Sequence, residues 1–147
     1  MTRRGFTLVE VLVVLVILAI AAGAVAPAIL APGDDDDVSA AVRETVKLLG
    51  SARREAARRG AEVTLSLDPG TGRYDVRAAG EGASPDSVAA GTLALPAGVT
   101  ASAPVPRAEF RFDPEGGGWG VPLTLKGSRV AVVEVDRWTG EIRVEAR

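Results

Sequence analysis

A carboxylate stands alone in the apolar start of this chain. Glu10 follows Arg4-Gly5-Phe6-Thr7-Leu8-Val9 and precedes Val11 to Pro32, a stretch with no charged residue. As a helix that stretch would reach about 33 Å, enough to cross a hydrocarbon core of about 30 Å. A charge near the bilayer centre costs about 2.5–3.5 kcal/mol on the lenient insertion scales. The chemistry open to such a residue is pairing, because an ammonium held against a carboxylate offsets much of its desolvation. Pairing with the chain's own amine, or snorkelling to the interface, would be the purely local alternatives.

Three other groupings could do chemistry. Asp34-Asp35-Asp36-Asp37 could ligate calcium, but consecutive carboxylates just before a helix read better as its cap. Arg53, Arg54, Arg58 and Arg59 could contact phosphate, yet at the end of a helix they complement its dipole. The Gly-rich stretch Glu115–Gly120 around Trp119 could cradle an anion, but it contains no basic residue and reads as a hairpin loop. With no His and no Cys among 147 residues, the usual general base, the thiolate nucleophile, disulfides and the commonest zinc ligands are all missing. We therefore expect no catalytic residues, metal or cofactor. A net charge of −2 gives no general pull toward nucleic acid or anionic lipid.

The N-terminal segment positions Glu10. Arg3 and Arg4 precede it and the four aspartates follow it, so the N-terminus should stay in the cytoplasm and the remaining chain outside. A cleaved secretory signal at Ala24-Val25-Ala26 is opposed by Pro27 directly after it and by the misplaced Glu10. A twin-arginine signal at Thr2-Arg3-Arg4-Gly5-Phe6 would suit a cofactor-bearing cargo, for which the rest offers no site. A plain anchor leaves Glu10 unexplained.

Arg4-Gly5-Phe6-Thr7-Leu8-Val9-Glu10 before a long apolar helix resembles the leader of type IV pilins and type II secretion pseudopilins. The resemblance implies cleavage between Gly5 and Phe6 by a prepilin peptidase, which also N-methylates Phe6. It further implies that Glu10 meets the Phe6 amine of a neighbouring subunit during filament assembly. The expected organisation is a leader over 1–5, a transmembrane assembly helix over 6–32, and a periplasmic domain over 33–147. Pro27 would kink the helix, and Pro32-Gly33 would break it.

Downstream, Val38, Ala41, Val42, Thr45, Leu49, Ala52 and Ala56 recur at helical spacing, predicting an amphipathic helix over about 38–59 with Gly60 at its end. From Glu62 the period becomes two, so 62–147 reads as β-rich. Strands are expected at Val63–Leu67, around Tyr74 and Val76, and at Thr92–Leu95, Val99–Ser102 and Glu109–Phe112. Others follow at Val121–Lys126, Val130–Val135, with apolar residues on both faces, and Glu141–Glu145. Asp68–Gly72 and Asp136–Gly140 read as turns and Ala78–Gly91 as an exposed loop, with no evident internal repeat. One helix packed on antiparallel strands is an α+β domain. Its order, with "SARREAARRGAEVTLSLD", "FRFDPEGG" and a closing "GEIRVEAR", resembles the GspH/FimT class of minor pseudopilins. That resemblance implies a structural subunit of a type II secretion pseudopilus, partnered by the peptidase and by other pseudopilins including the major one. The alternative is a FimT-like minor pilin for DNA uptake, whose Gly-Arg-x-Arg would fall on Gly140-Glu141-Ile142-Arg143. The acid at Glu141, with Glu145 nearby, opposes phosphate, so no nucleic-acid partner is expected.

Overall fold

Helix α1 (Asp37–Arg59) buries Val38, Ala41, Thr45, Leu49, Ala52 and Ala56 along one stripe. This is the stripe that three- and four-residue spacing produces, with Val42 at its half-buried margin. Asp37 lies in the first turn and Arg58 and Arg59 in the last, each at the dipole end that favours its charge. The helix ends where Gly60 turns left-handed at φ 63° and the Ala61 amide donates back to the Ala56 carbonyl at 3.3 Å. That pairing is a Schellman closure, satisfying a carbonyl the helix leaves open. The one buried polar side chain of the stripe, Thr45, donates its hydroxyl to the Ala41 carbonyl at 2.8 Å.

These observations come from a computed structural model that describes residues 37–79 and 85–146. The expected leader, the membrane-spanning helix with its breaks, and Asp34–Asp36 of the acidic run lie outside the described residues. Among the described residues no helix is long and apolar enough to cross a membrane.

Nine strands follow: β1 (Val63–Leu67), β2 (Arg73–Ala78), β3 (Asp86–Thr92), β4 (Thr100–Ser102), β5 (Ala108–Phe112), β6 (Gly118–Gly120), β7 (Leu123–Lys126), β8 (Val130–Val135) and β9 (Ile142–Ala146). They form two antiparallel sheets, ordered β3-β2-β1-β5-β6 and β4-β7-β8-β9. The stripe of α1 meets β1 and β5 of the first sheet and β7, β8 and β9 of the second. Val63, Leu65 and Leu67 on β1, Phe110 and Phe112 on β5, and Leu123, Leu125 and Val133 on β7 and β8 complete the core. Each fully buried side chain of this size contributes about 1.5–3 kcal/mol. The expected α+β architecture is the observed one, and β8 lies inside its sheet, paired on both sides.

Two stretches differ from expectation. The second half of the expected loop Ala78–Gly91 is strand β3, and of Thr92–Leu95 only Thr92 is in a strand. Most of β3 is exposed, so its pairing with β2 rests on backbone hydrogen bonds that leave no apolar alternation to read. Part of the expected loop at Glu115–Gly120 is strand β6. Phe110 lies opposite Gly120, and a Cβ on Gly120 would run into the Phe110 ring. The inward positions of β6 are therefore empty of side chains, which hides the strand from a hydrophobicity pattern.

The turns repeat one device that the sequence reading passed over. Asp68-Pro69-Gly70-Thr71-Gly72 joins β1 to β2, and Asp136-Arg137-Trp138-Thr139-Gly140 joins β8 to β9. In each, the Asp Oδ1 accepts from the amides two and three residues on, at 2.9 and 3.1 Å in the first turn and 3.0 and 3.0 Å in the second. In each, the closing glycine donates to the Asp carbonyl at 2.8 Å with φ of 70° or 59°. The spacing Asp-x-x-Thr-Gly is thus a turn with a mechanism: the side chain holds the amides and the glycine supplies the left-handed exit. Backbone donation from Thr71 is the main cause lowering the Asp68 pKa, and donation from Thr139 does the same for Asp136.

A carboxyl whose pKa is lower folded than unfolded contributes stability that is complete above its ordinary value of 3.8 and drains as pH falls through the folded value. Thermal unfolding of the domain should therefore show a falling midpoint below about pH 4. The Asp68→Asn/Asp136→Asn double variant keeps the acceptor oxygens but cannot titrate, and its acid limb should be shallower than that of the wild type. Identical limbs in calorimetry would show that the turns do not carry this acid dependence.

Candidate functional site

The β8–β9 turn is fixed from three directions. Asp136 holds its amides, Arg53 of α1 donates to the Thr139 carbonyl at 2.9 Å, and the Gly118 amide of β6 donates to the Arg137 carbonyl at 3.3 Å. That last bond joins the ends of the two sheets. It needs glycine on both sides, because a Cβ at Gly118 would crowd Gly140, and a Cβ at Gly140 would strike the Gly116 carbonyl. Between the β5–β6 hairpin and this turn lies an open groove of about 740 Å³. Trp119 and Trp138 line it, and they are the chain's two tryptophans. Trp119 is 46% exposed and Trp138 86% exposed. Gly117 and Gly118 form part of the wall, and the charged lining comprises Glu62, Asp113 and Glu115 with Arg111 and Arg137. The sequence carried a signal for this site: a bulky indole at a turn tip, where turn chemistry asks for small polar residues.

Among the described residues, Arg53, Arg58, Arg59 and Arg143 are engaged within the domain. Glu55 accepts from Arg58 and Arg59, and these guanidinium groups, Arg58 foremost, lower its pKa to about 2. With Arg53 on Thr139, three members of the arginine cluster bond to the domain itself. Arg143, in the stretch compared with Gly-Arg-x-Arg, pairs with Asp136 at 3.0 Å and Glu141 at 3.6 Å. Among the described residues no three acidic side chains converge as a metal site. Gly5, Phe6 and Glu10 lie outside the described residues.

An arginine already held by two carboxylates is a poor phosphate contact. A soluble fragment from Asp34 onward should bind duplex DNA no more tightly than the usual non-specific range of about 10⁻⁴–10⁻⁶ M at physiological salt. Sub-micromolar binding with a steep salt slope in a polarisation titration would restore the DNA-uptake reading.

Comparison with known proteins adds two matches at separate ends of the chain. The family described as prokaryotic N-terminal methylation motif matches residues 1–26. The family described as type II transport protein GspH matches residues 41–140, more than half of the chain. No curated protein matches it. Among solved structures, the minor pseudopilin EpsH from the type 2 secretion system of Vibrio cholerae is similar at 15% identity and a TM-score of 0.56. The match covers 76% of this chain and 98% of that one, and at this identity it speaks for the fold. A GspH domain behind an N-terminal methylation motif places the chain in the type II transport protein GspH family.

Proposed function

We propose that the chain is made as a precursor, cut between Gly5 and Phe6 by a prepilin peptidase that methylates the new Phe6 amine. It then assembles through Glu10 with the other pseudopilins, the major one included. Residues 1–5 are the leader, 6–32 the single inner-membrane span, and 33–147 the periplasmic domain, with the N-terminus cytoplasmic. The role is structural, and the chemistry is done to this chain by the peptidase. The observation that carries this reading is the methylation motif over residues 1–26 on the same chain as the GspH domain. Physical chemistry supports the role of Glu10. After cleavage the Phe6 amine is a cation, and a carboxylate in lipid is far less costly beside a neighbour's ammonium than alone.

Two measurements test the two steps separately. Terminal mass spectrometry of the membrane fraction should find mature protein beginning at N-methyl-Phe6. Gly5→Val should remain uncut, since a branched side chain blocks the close backbone approach that glycine permits. A mature start at Pro27 would establish ordinary signal-peptide cleavage instead.

Glu10→Gln keeps the side chain's size and helix propensity while removing its charge. Leader removal and membrane abundance should persist, because insertion becomes easier without the carboxylate. Crosslinking to the major pseudopilin should fall severalfold, because the neighbour's amine loses its partner. Undiminished crosslinking would assign Glu10 to a snorkelling role, and loss of cleavage would move its action to the peptidase.

A further inference from the structure

The groove between β6 and the β8–β9 turn has a lining unlike that of a protein-docking pocket. It contains no Leu, Ile, Val or Met side chain; its apolar surface comes from Trp119 and Trp138, and the rest is charged side chains and glycine backbone. Protein hot spots favour a desolvated pocket for a buried anchor, whereas this groove is open and floored partly by Gly117 and Gly118. Stacking of nucleic-acid bases on the indoles is disfavoured by charge, because Glu62, Asp113 and Glu115 outnumber Arg111 and Arg137 beside them. Three carboxylates would repel a phosphate backbone.

We propose that this groove binds an uncharged, β-linked oligosaccharide. The flat C–H faces of pyranose rings stack on aromatic faces, whose negative quadrupole attracts the weakly positive hydrogens. Vicinal hydroxyls are both donors and acceptors, so they suit a rim of carboxylates and guanidinium groups, with charge-assisted hydrogen bonds to each. The rim is available. Among the described residues the Glu62, Asp113, Glu115 and Arg137 side chains form no ion pair, and Arg111 has only a 3.9 Å contact with Glu109. The platform is also preorganised. Trp138 sits in a turn tied by Asp136, Arg53 and Gly118, so stacking requires no ordering of the backbone. The site stands independently of leader processing and of Glu10.

Both tryptophans lie in the groove, so intrinsic fluorescence reads it directly. The test uses the full chain in a detergent without a sugar headgroup, titrated with the β-linked hexamer of N-acetylglucosamine, as in envelope glycans, and with cellohexaose, as in plain glucose chains. A saturable fluorescence change with at least one hexamer supports the proposal, and the preferred hexamer identifies the glycan source. Calorimetry should show at least a tenfold loss of affinity in Trp138→Ala, with Trp138→Tyr largely retaining it. Because Trp138 is 86% exposed and holds the turn through its backbone amide, the alanine variant should fold normally, as an unchanged unfolding midpoint would verify. Absence of binding by either hexamer at millimolar concentration, or equal binding by folded Trp138→Ala, would overturn the proposal. So would tighter binding of a single-stranded oligonucleotide.

Discussion

The buried stripe on α1 is the constraint on which this domain depends. The two sheets share no strand, and α1 touches strands of both. Its stripe combines one large side chain, Leu49, with small ones at Ala41, Ala52 and Ala56. Small residues let a helix approach a sheet closely, so the aromatic bulk at Phe110 and Phe112 can come from the strands instead. Thr45 fits the same logic, since its hydroxyl is satisfied by the helix's own carbonyl and asks nothing of either sheet. A helix with larger residues along this stripe would overfill the space beneath it.

What was legible in the sequence follows from where side chains carry the pattern. The stripe from Val38 to Ala56 appears because helical spacing and burial coincide there. The alternation of β1 and the two-faced apolar run of β8 are readable for the same reason. Strands β3 and β6 were not legible, because one is an exposed edge and the other turns glycines inward. Their hydrogen bonds are backbone properties that composition does not encode. The N-terminal methylation motif was legible because residue type at each position matters there, and the family model matches residues 1–26.

The repeated Asp-x-x-Thr-Gly turn belongs to a different kind of legibility. Its chemistry is local, with every hydrogen bond falling within six residues. It was present in the sequence twice, yet in separate hairpins of different sheets. The groove was harder to foresee. It depends on Gly118 meeting Arg137, nineteen positions apart in sequence. No local rule relates them, so the sequence alone does not bring Trp119 and Trp138 to one groove.

The charged side chains divide along functional lines. On α1 and at the base of the β8–β9 turn, Arg53, Arg58, Arg59 and Arg143 are committed to acceptors of the domain. Exposed pairs of this kind add little stability, but they neutralise a basic helix end that would otherwise attract phosphate. Among the described residues the groove's Glu62, Asp113, Glu115 and Arg137 form no ion pair, beside two exposed indoles. Had those carboxylates and arginines paired with each other, the rim would present few hydrogen-bonding groups to a ligand. Leaving them free costs little in water, because solvent satisfies them. The same domain therefore engages these four arginines internally while its groove presents polar edges and two indoles to solvent.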